Sequence, residues 1–303
     1  MGRRIGFMDK EKVIFLGNGK LAEYALAVLE RECQVIFHAR TKEDLTEVVQ
    51  LKQENPEAHA VLASYGVMVP EKVLAEFEPE GILNIHPSLL PKYRGASPIE
   101  SAILAGDTEF SVSVMKLVKA MDAGPIYAQA TIEGLPLDKD RIYQELAECG
   151  ANMAVMVMQT SDEAFRGKDY KDEFEKLAEA SGRPDIVENH EKWVENVRHP
   201  KVQDDTKATY CGKLEKKMGT LQPETDTAEE TLRKIVAYQW YPKARYALYG
   251  KNCLILKAHM LNSGETAPLT LTCADGAKIA LDEVQPEGKR PMDAKSFLNG
   301  YKR

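Results

Sequence analysis

"KVIFLGNGKLAEYALAVLERECQVIFH", residues 12–38, changes period twice, and that change decides the fold class. "KVIFL" (12–16) is a short apolar run rich in β-formers, as is "QVIFH" (34–38). Between them "KLAEYALAVLERE" (20–32) sets Leu21, Tyr24, Ala25 and Val28 on one helical face. A strand, a helix and a strand of this length form a parallel crossover unit. "GNG" (17–19) joins the first two elements. It resembles a phosphate-binding turn, yet it lacks the third glycine of that pattern and reads better as a tight strand-to-helix turn.

The same alternation continues. "TKEDLTEVVQLKQ" (41–53) is a second helix, with Asp44 three residues after Thr41, close to a capping box. "HAVLAS" (59–64), "GILNI" (81–85) and "SVSVMKL" (111–117) read as strands, with helices near 70–77 and over 137–167. Apolar strands alternating with helices predict an α/β, mostly parallel, doubly wound (Rossmann-like) domain over 1–165, with ligands at the carboxyl ends of its strands. Residues 166–206 are polar and weakly periodic, a linker or insertion. From 207 to 303 come a helix over 227–239 and short strands at 244–250, 252–261, 268–273 and 277–285, the last two split by "ADG". That pattern predicts a small OB-like β-barrel domain.

Composition limits the function classes. The chain has 303 residues, 44% hydrophobic and 29% charged, with no apolar run of the length a membrane helix needs. "MGRRIGFMDKEK" does not read as a signal peptide. Cys33, Cys149, Cys211, Cys253 and Cys273 are odd in number and scattered, against a disulfide framework or a zinc site, so a reducing, cytoplasmic setting and no metal are expected. Residues 207–303 hold 16 Lys and Arg against 11 Asp and Glu, while the first 206 hold 24 against 36. A basic third on an acidic chain is either chance clustering or a surface for a polyanion such as RNA.

The chemistry concentrates in "NIHPSLLPKYRGASP" (84–98) and "KLVKAMDAGPIY" (116–127). Residues two apart on a strand share a face, so Asn84 and His86 aim at one point. An amide donor and an imidazole suit acyl transfer, where a carbonyl oxygen becomes an oxyanion and a nucleophile loses a proton. If the strands are neighbours, Asp122 reaches His86, orients its ring, and can hold a proton-relaying water. Lys92 and Arg94 either meet a ligand anion or are solvated loop charges.

"NIHPSLLPKYRG" followed by "MDAGPI" resembles the signature of the folate-dependent formyltransferases. "ASPIESAILAGD" (96–107), "ATYCGKLEKKMGTL" (208–221) and "DGAKIALDEVQPEGKRPM" (275–292) resemble segments of its methionyl-tRNA branch. The resemblance implies Asn84, His86 and Asp122 as the catalytic trio. It implies Ser88, Leu89, Leu90, Pro91, Tyr65, Gly66 and Val67 as the folate-site lining. It also implies 10-formyltetrahydrofolate as donor, the amine of initiator methionyl-tRNA as acceptor, and a C-terminal OB-like domain that binds tRNA; a monomer is expected. Family members commonly carry a long basic loop after the second strand that helps to read the acceptor stem. Here "IFHARTKEDL" (36–45) runs almost directly into a helix, so either selectivity for initiator over elongator tRNA is weaker than in loop-bearing relatives, or 162–205 takes over the reading with Arg166, Lys168, Lys171 and Arg198. Two alternatives stand beside this reading: a nucleotide-sugar N-formyltransferase using the same donor, and an RNA-binding protein on an inactive scaffold. The basic C-terminal third favours the first reading over the sugar enzyme, and retention of the trio speaks against the inactive scaffold.

Overall fold

The computed structural model describes residues 10–161, 197, 199–262 and 264–301. Most of the expected linker, and with it Arg166, Lys168, Lys171 and Arg198, lies outside the described residues. The chain falls into two compact units, 1–95 with 110–133 and 143–210, and 96–109 with 134–142 and 211–303. The second unit thus takes in two stretches from the half that reads as one domain in the sequence.

The first unit is built on a six-stranded sheet of order β2-β1-β3-β4-β6-β7. Its strands are β1 (Lys12–Gly17), β2 (Gln34–Ala39), β3 (His59–Ala63), β4 (Ile82–His86), β6 (Glu109–Lys116) and β7 (Ile126–Glu133). β2, β1, β3 and β4 are parallel, as the alternating pattern predicts. β6 is antiparallel to β4, pairing Lys116 with Leu83 and Ser113 with His86. Ile14, Leu16, Ala60, Leu62 and Ile82 occupy one face in a single core with Leu45 and Val48 of α2 (Leu45–Glu54) and Val73 of α3 (Glu71–Ala75). α1 (Lys20–Glu32) buries Leu21, Ala22, Ala25, Val28 and Leu29. The "GNG" stretch is the tight turn expected. A Cβ on Gly17 would stand 2.7 Å from the Ala63 carbonyl oxygen and 2.8 Å from the Ala22 Cβ.

α2 begins at Leu45, three residues later than its capping signal suggests. Asp44 does supply its half of the box, accepting the Thr41 N–H at 2.8 Å and the Arg40 N–H at 2.7 Å. These bonds tighten 40–44 into a compact turn, so no loop projects after β2. Two-residue strands, β5 (Arg94–Gly95) and β8 (Tyr210–Cys211), follow later in the chain.

In the second unit, α4 (Pro98–Ala105), the start of α5 (Lys139–Ser161), α6 (Ala228–Ala237) and α7 (Ala294–Tyr301) accompany an antiparallel half-barrel. Its strands run in the order β11 (Thr270–Thr272), β12 (Lys278–Pro286), β10 (Lys251–Met260), β9 (Arg245–Leu248), with β13 (Met292–Asp293) on β12. This is the OB-like domain of the sequence reading. The "ADG" turn closes the β11–β12 hairpin with Gly276 at φ 77°, a left-handed geometry that favours glycine. A capping box of Thr227 and Glu230 starts α6, and Ala228 and Ile235 bury one turn-spaced stripe against the barrel core.

One buried ion pair ties this unit together. The Lys139 ammonium, 1% exposed, lies 2.8 Å from a Glu100 carboxylate oxygen, donates to the Ala237 carbonyl at 2.7 Å, and sits 4.7 Å from the Trp240 ring centroid. Burial pulls its pKa below the ordinary lysine value, and Glu100 opposes that shift. Lys139→Ala strips a buried carboxylate of this cation and is expected to cost about 3 kcal/mol. The pair Lys139→Met with Glu100→Leu should cost much less, because no uncompensated charge remains. Urea unfolding of both variants checks this; equal losses would contradict it.

Candidate active site

Ile82, Asn84 and His86 alternate along β4, which puts both polar side chains on the face that Ile82 shares with α2 and α3. Asn84 and His86 are each 5% exposed. Among the described residues the Asn84 amide has no hydrogen-bonding partner. An amide with no protein partner is available to donate to a ligand oxygen.

His86 is fixed at one nitrogen. Its Nε2 lies 3.0 Å from the Tyr93 carbonyl oxygen. A carbonyl only accepts, so Nε2 carries a hydrogen and Nδ1 is the nitrogen free to exchange a proton. Nδ1 faces Oδ2 of Asp122 at 3.7 Å, too far for a direct hydrogen bond but close enough to stabilise an imidazolium. The same Oδ2 accepts the Gly95 N–H at 2.8 Å. β6 ends beside Leu83, so the 117–125 loop must travel back along β4 to bring Asp122 to His86. Asp122 takes φ 48° and Tyr93 φ 60°, left-handed geometry that costs energy in non-glycine residues and gathers at functional sites.

The expected folate lining falls on two loops at the carboxyl ends of β3 and β4. In the first, Tyr65 is buried and its hydroxyl donates to the Thr41 carbonyl. Burial, with Asp44 and Glu43 nearby, pushes the phenol up to about 12, so it stays a neutral donor. Gly66 takes φ 70° and has open space where a Cβ would be, and Val67 packs on the core. In the second, Ser88 and Leu90 are buried and Leu89 is exposed. Ser88 donates to the Lys92 carbonyl at 2.6 Å, and the Pro91 carbonyl accepts the Thr209 N–H at 3.1 Å. Ser113 donates to the Ser88 carbonyl at 2.6 Å, and Gln129 to the Leu90 carbonyl at 2.9 Å. Of these residues, Leu89 and Gly66 are exposed and Pro91 and Val67 half-buried, on loops held by buried neighbours.

Two side chains depart from the sequence reading. Arg94 is not a solvated loop charge, and protein groups take up its guanidinium. It is 2% exposed, donates to Gln203 through Nε at 3.0 Å and Nη2 at 2.7 Å, and lies 2.7 Å from Asp205. Gln203, from the stretch that reads as a linker, is not among the residues the sequence singles out. No periodicity or motif marks it; the chain pairs back onto β7 just before it, with two hydrogen bonds of 2.8 Å between Lys201 and Ile126. Among the described residues, no group of three or more His, Cys, Asp or Glu is placed to hold a metal ion, and no helix is long and apolar enough to cross a membrane.

Comparison with known proteins places this arrangement. Residues 7–158 match the model of the formyl transferase family and 213–302 that of the formyl transferase C-terminal domain. A methionyl-tRNA formyltransferase of Thermus thermophilus is 32% identical over 263 residues, covering 83% of this chain and 73% of the relative. Two solved structures share the fold. HypX from Aquifex aeolicus in complex with tetrahydrofolic acid gives a TM-score of 0.62 at 17% identity over 97% of this chain, which spans 48% of that one. Methionyl-tRNA formyltransferase from Clostridium thermocellum gives 0.57 at 16% identity, covering 91% of this chain and 98% of that one. Two family models matched on one chain, in order, and a relative of this identity decide the assignment: the chain belongs to the formyl transferase family.

Proposed function

We propose that this chain transfers the formyl group of 10-formyltetrahydrofolate to the α-amine of initiator methionyl-tRNA. One observation supports the chemistry above the rest: Asn84, with no protein partner among the described residues, shares a strand face with a His86 whose free nitrogen meets Asp122 at 3.7 Å. The amine attacks the formyl carbon, and the Asn84 amide and the Nδ1–H of a protonated His86 stabilise the oxyanion. The bond from carbon to N10 then breaks. Asp122 and His86 carry the proton released by the amine to the departing N10. Leu89 and Pro91 on one loop, with Gly66 and Val67 on the other, offer the donor its contact surface. Ser88, Leu90 and Tyr65 hold those loops from beneath.

The acceptor follows from the second unit and from the named relatives. Lys213, Lys216 and Lys243 are exposed there. A Cβ on Gly219 would stand 2.4 Å from the Lys243 carbonyl oxygen, so these cations lie on adjoining loops. A nucleotide sugar needs no such extended positive surface, whereas an RNA backbone does.

The deciding experiment offers the protein 10-formyltetrahydrofolate with either charged initiator tRNA or an amino-sugar nucleotide, and weighs the products. Formylated methionyl-tRNA is expected, and a formylated sugar alone would refute the reading. In the full chain, changing Lys213, Lys216 and Lys243 to Gln should reduce the slope of log affinity against log salt by about 0.9 for each duplex phosphate that is no longer neutralised. An unchanged slope would place the tRNA surface elsewhere.

A further inference from the structure

Gln203 touches no reacting atom in the mechanism above, yet it is 8% exposed and spends its whole amide on the catalytic loop and its support. Its Nε2 donates to the Asp122 carbonyl at 2.8 Å and to the Gly124 carbonyl at 2.7 Å, with the Met115 sulfur at 3.9 Å. Its Oε1 accepts both Arg94 bonds, at 3.0 and 2.7 Å. Arg94 in turn lies between the two backbone groups that fix the trio. The Tyr93 carbonyl accepts from His86 Nε2 at 3.0 Å, and the Gly95 N–H donates to Asp122 Oδ2 at 2.8 Å.

We infer that Gln203 is a positioning residue for formyl transfer, clamping the Asp122 backbone on one side and, through Arg94, the Tyr93–Gly95 backbone on the other. The inference rests on the formyl-transfer reading of the site. Its physical content is preorganisation. Asp122 is held at φ 48°, a conformation that persists only where its surroundings over-determine it, and two hydrogen bonds onto carbonyls 122 and 124 do that. A catalytic group misplaced by about 1 Å can lose on the order of 10² in rate.

Gln203→Glu separates the two halves of the clamp. The new carboxylate still accepts from Arg94, which preserves the support. It has no hydrogen for the two carbonyls, so the 122–124 turn loses its hold. The variant is expected to fold, with kcat down by about tenfold or more and the donor KM within about threefold, because Gln203 makes no hydrogen bond to either donor loop. In an Asp122→Asn background the same substitution should change kcat by less than about twofold, since residues acting as a unit are not additive. A merely structural role would lower activity equally in both backgrounds. If Gln203→Glu does not fold, Gln203→Asn, which keeps the amide but shortens its reach, carries the same measurements.

Turnover by the unaltered chain tests the underlying reading by itself. The positioning role has a readout independent of turnover, the imidazole nitrogen resonances of His86, assigned by their loss in His86→Ala. They should move in Gln203→Glu. A folded variant whose His86 signals stay in place, or whose kcat matches the unaltered protein, overturns the inference.

Discussion

Asp122→Asn is expected to leave the fold and the donor affinity intact while lowering kcat by about 10³. The substitution is near-isosteric, and asparagine tolerates the left-handed backbone at this position about as well as aspartate. Its amide oxygen can take over the Gly95 N–H now bonded at 2.8 Å, so the turn keeps its anchor. What disappears is the negative charge 3.7 Å from His86 Nδ1 and the capacity to accept a proton. The developing imidazolium then has no counter-charge in a site only 6% exposed on the histidine side chain, where unscreened charge matters most. His86→Ala should be comparably damaging. The double variant should be little worse than either single one, because the two residues share one step. Single-turnover rates and donor binding, measured separately, check all three. A near-normal rate for Asp122→Asn would remove it from the proton path.

Much of this arrangement is legible in the sequence, and the exceptions share a cause. β1 to β4 and α1 announce themselves because a core-facing strand or helix must repeat its apolar residues at its own period. Asn84 and His86 follow from strand alternation, and Asp122 from its place in a glycine-containing turn. The antiparallel sense of β6 does not follow, since alternation along a strand says nothing about which way its neighbour runs. The start of α2 is displaced because Asp44 turns its carboxylate back onto residues 40 and 41. Arg94 reads as a cation for a ligand anion or as a solvated loop charge, but its burial depends on Gln203 and Asp205, more than a hundred residues away. Gln203 is invisible for the same reason: a polar residue in a polar stretch carries no local mark of the carbonyls it will meet. The second unit repeats the lesson, since nothing local in the sequence marks Glu100 and Lys139 as a buried pair.

Gly124→Ala should disable the protein in two ways at once. A Cβ at this position would stand 1.8 Å from the Lys116 carbonyl oxygen, 3.0 Å from its carbon and 3.3 Å from Val118 Cγ1. The obstacle is backbone, and that backbone cannot yield cheaply. The Lys116 N–H is bonded to the Pro125 carbonyl at 2.9 Å and the Leu117 N–H to the Ile82 carbonyl at 2.8 Å. Relief must therefore come from moving residues 122–124 outward. That movement breaks the 2.7 Å bond from Gln203 to the Gly124 carbonyl and withdraws Asp122 from His86. Overpacking of this kind costs about 3 kcal/mol, and the displaced carboxylate adds a loss on the order of 10² in kcat among the molecules that still fold. Gly212→Ala is the matched control, because no atom lies within 4 Å of its Cβ position. It should leave both unfolding midpoint and kcat unchanged. Thermal unfolding and kcat on the two variants distinguish the cases. Should the Gly124 variant keep the parent's midpoint and rate, the 122–124 turn would not need the close approach to β6 that holds Asp122 opposite His86.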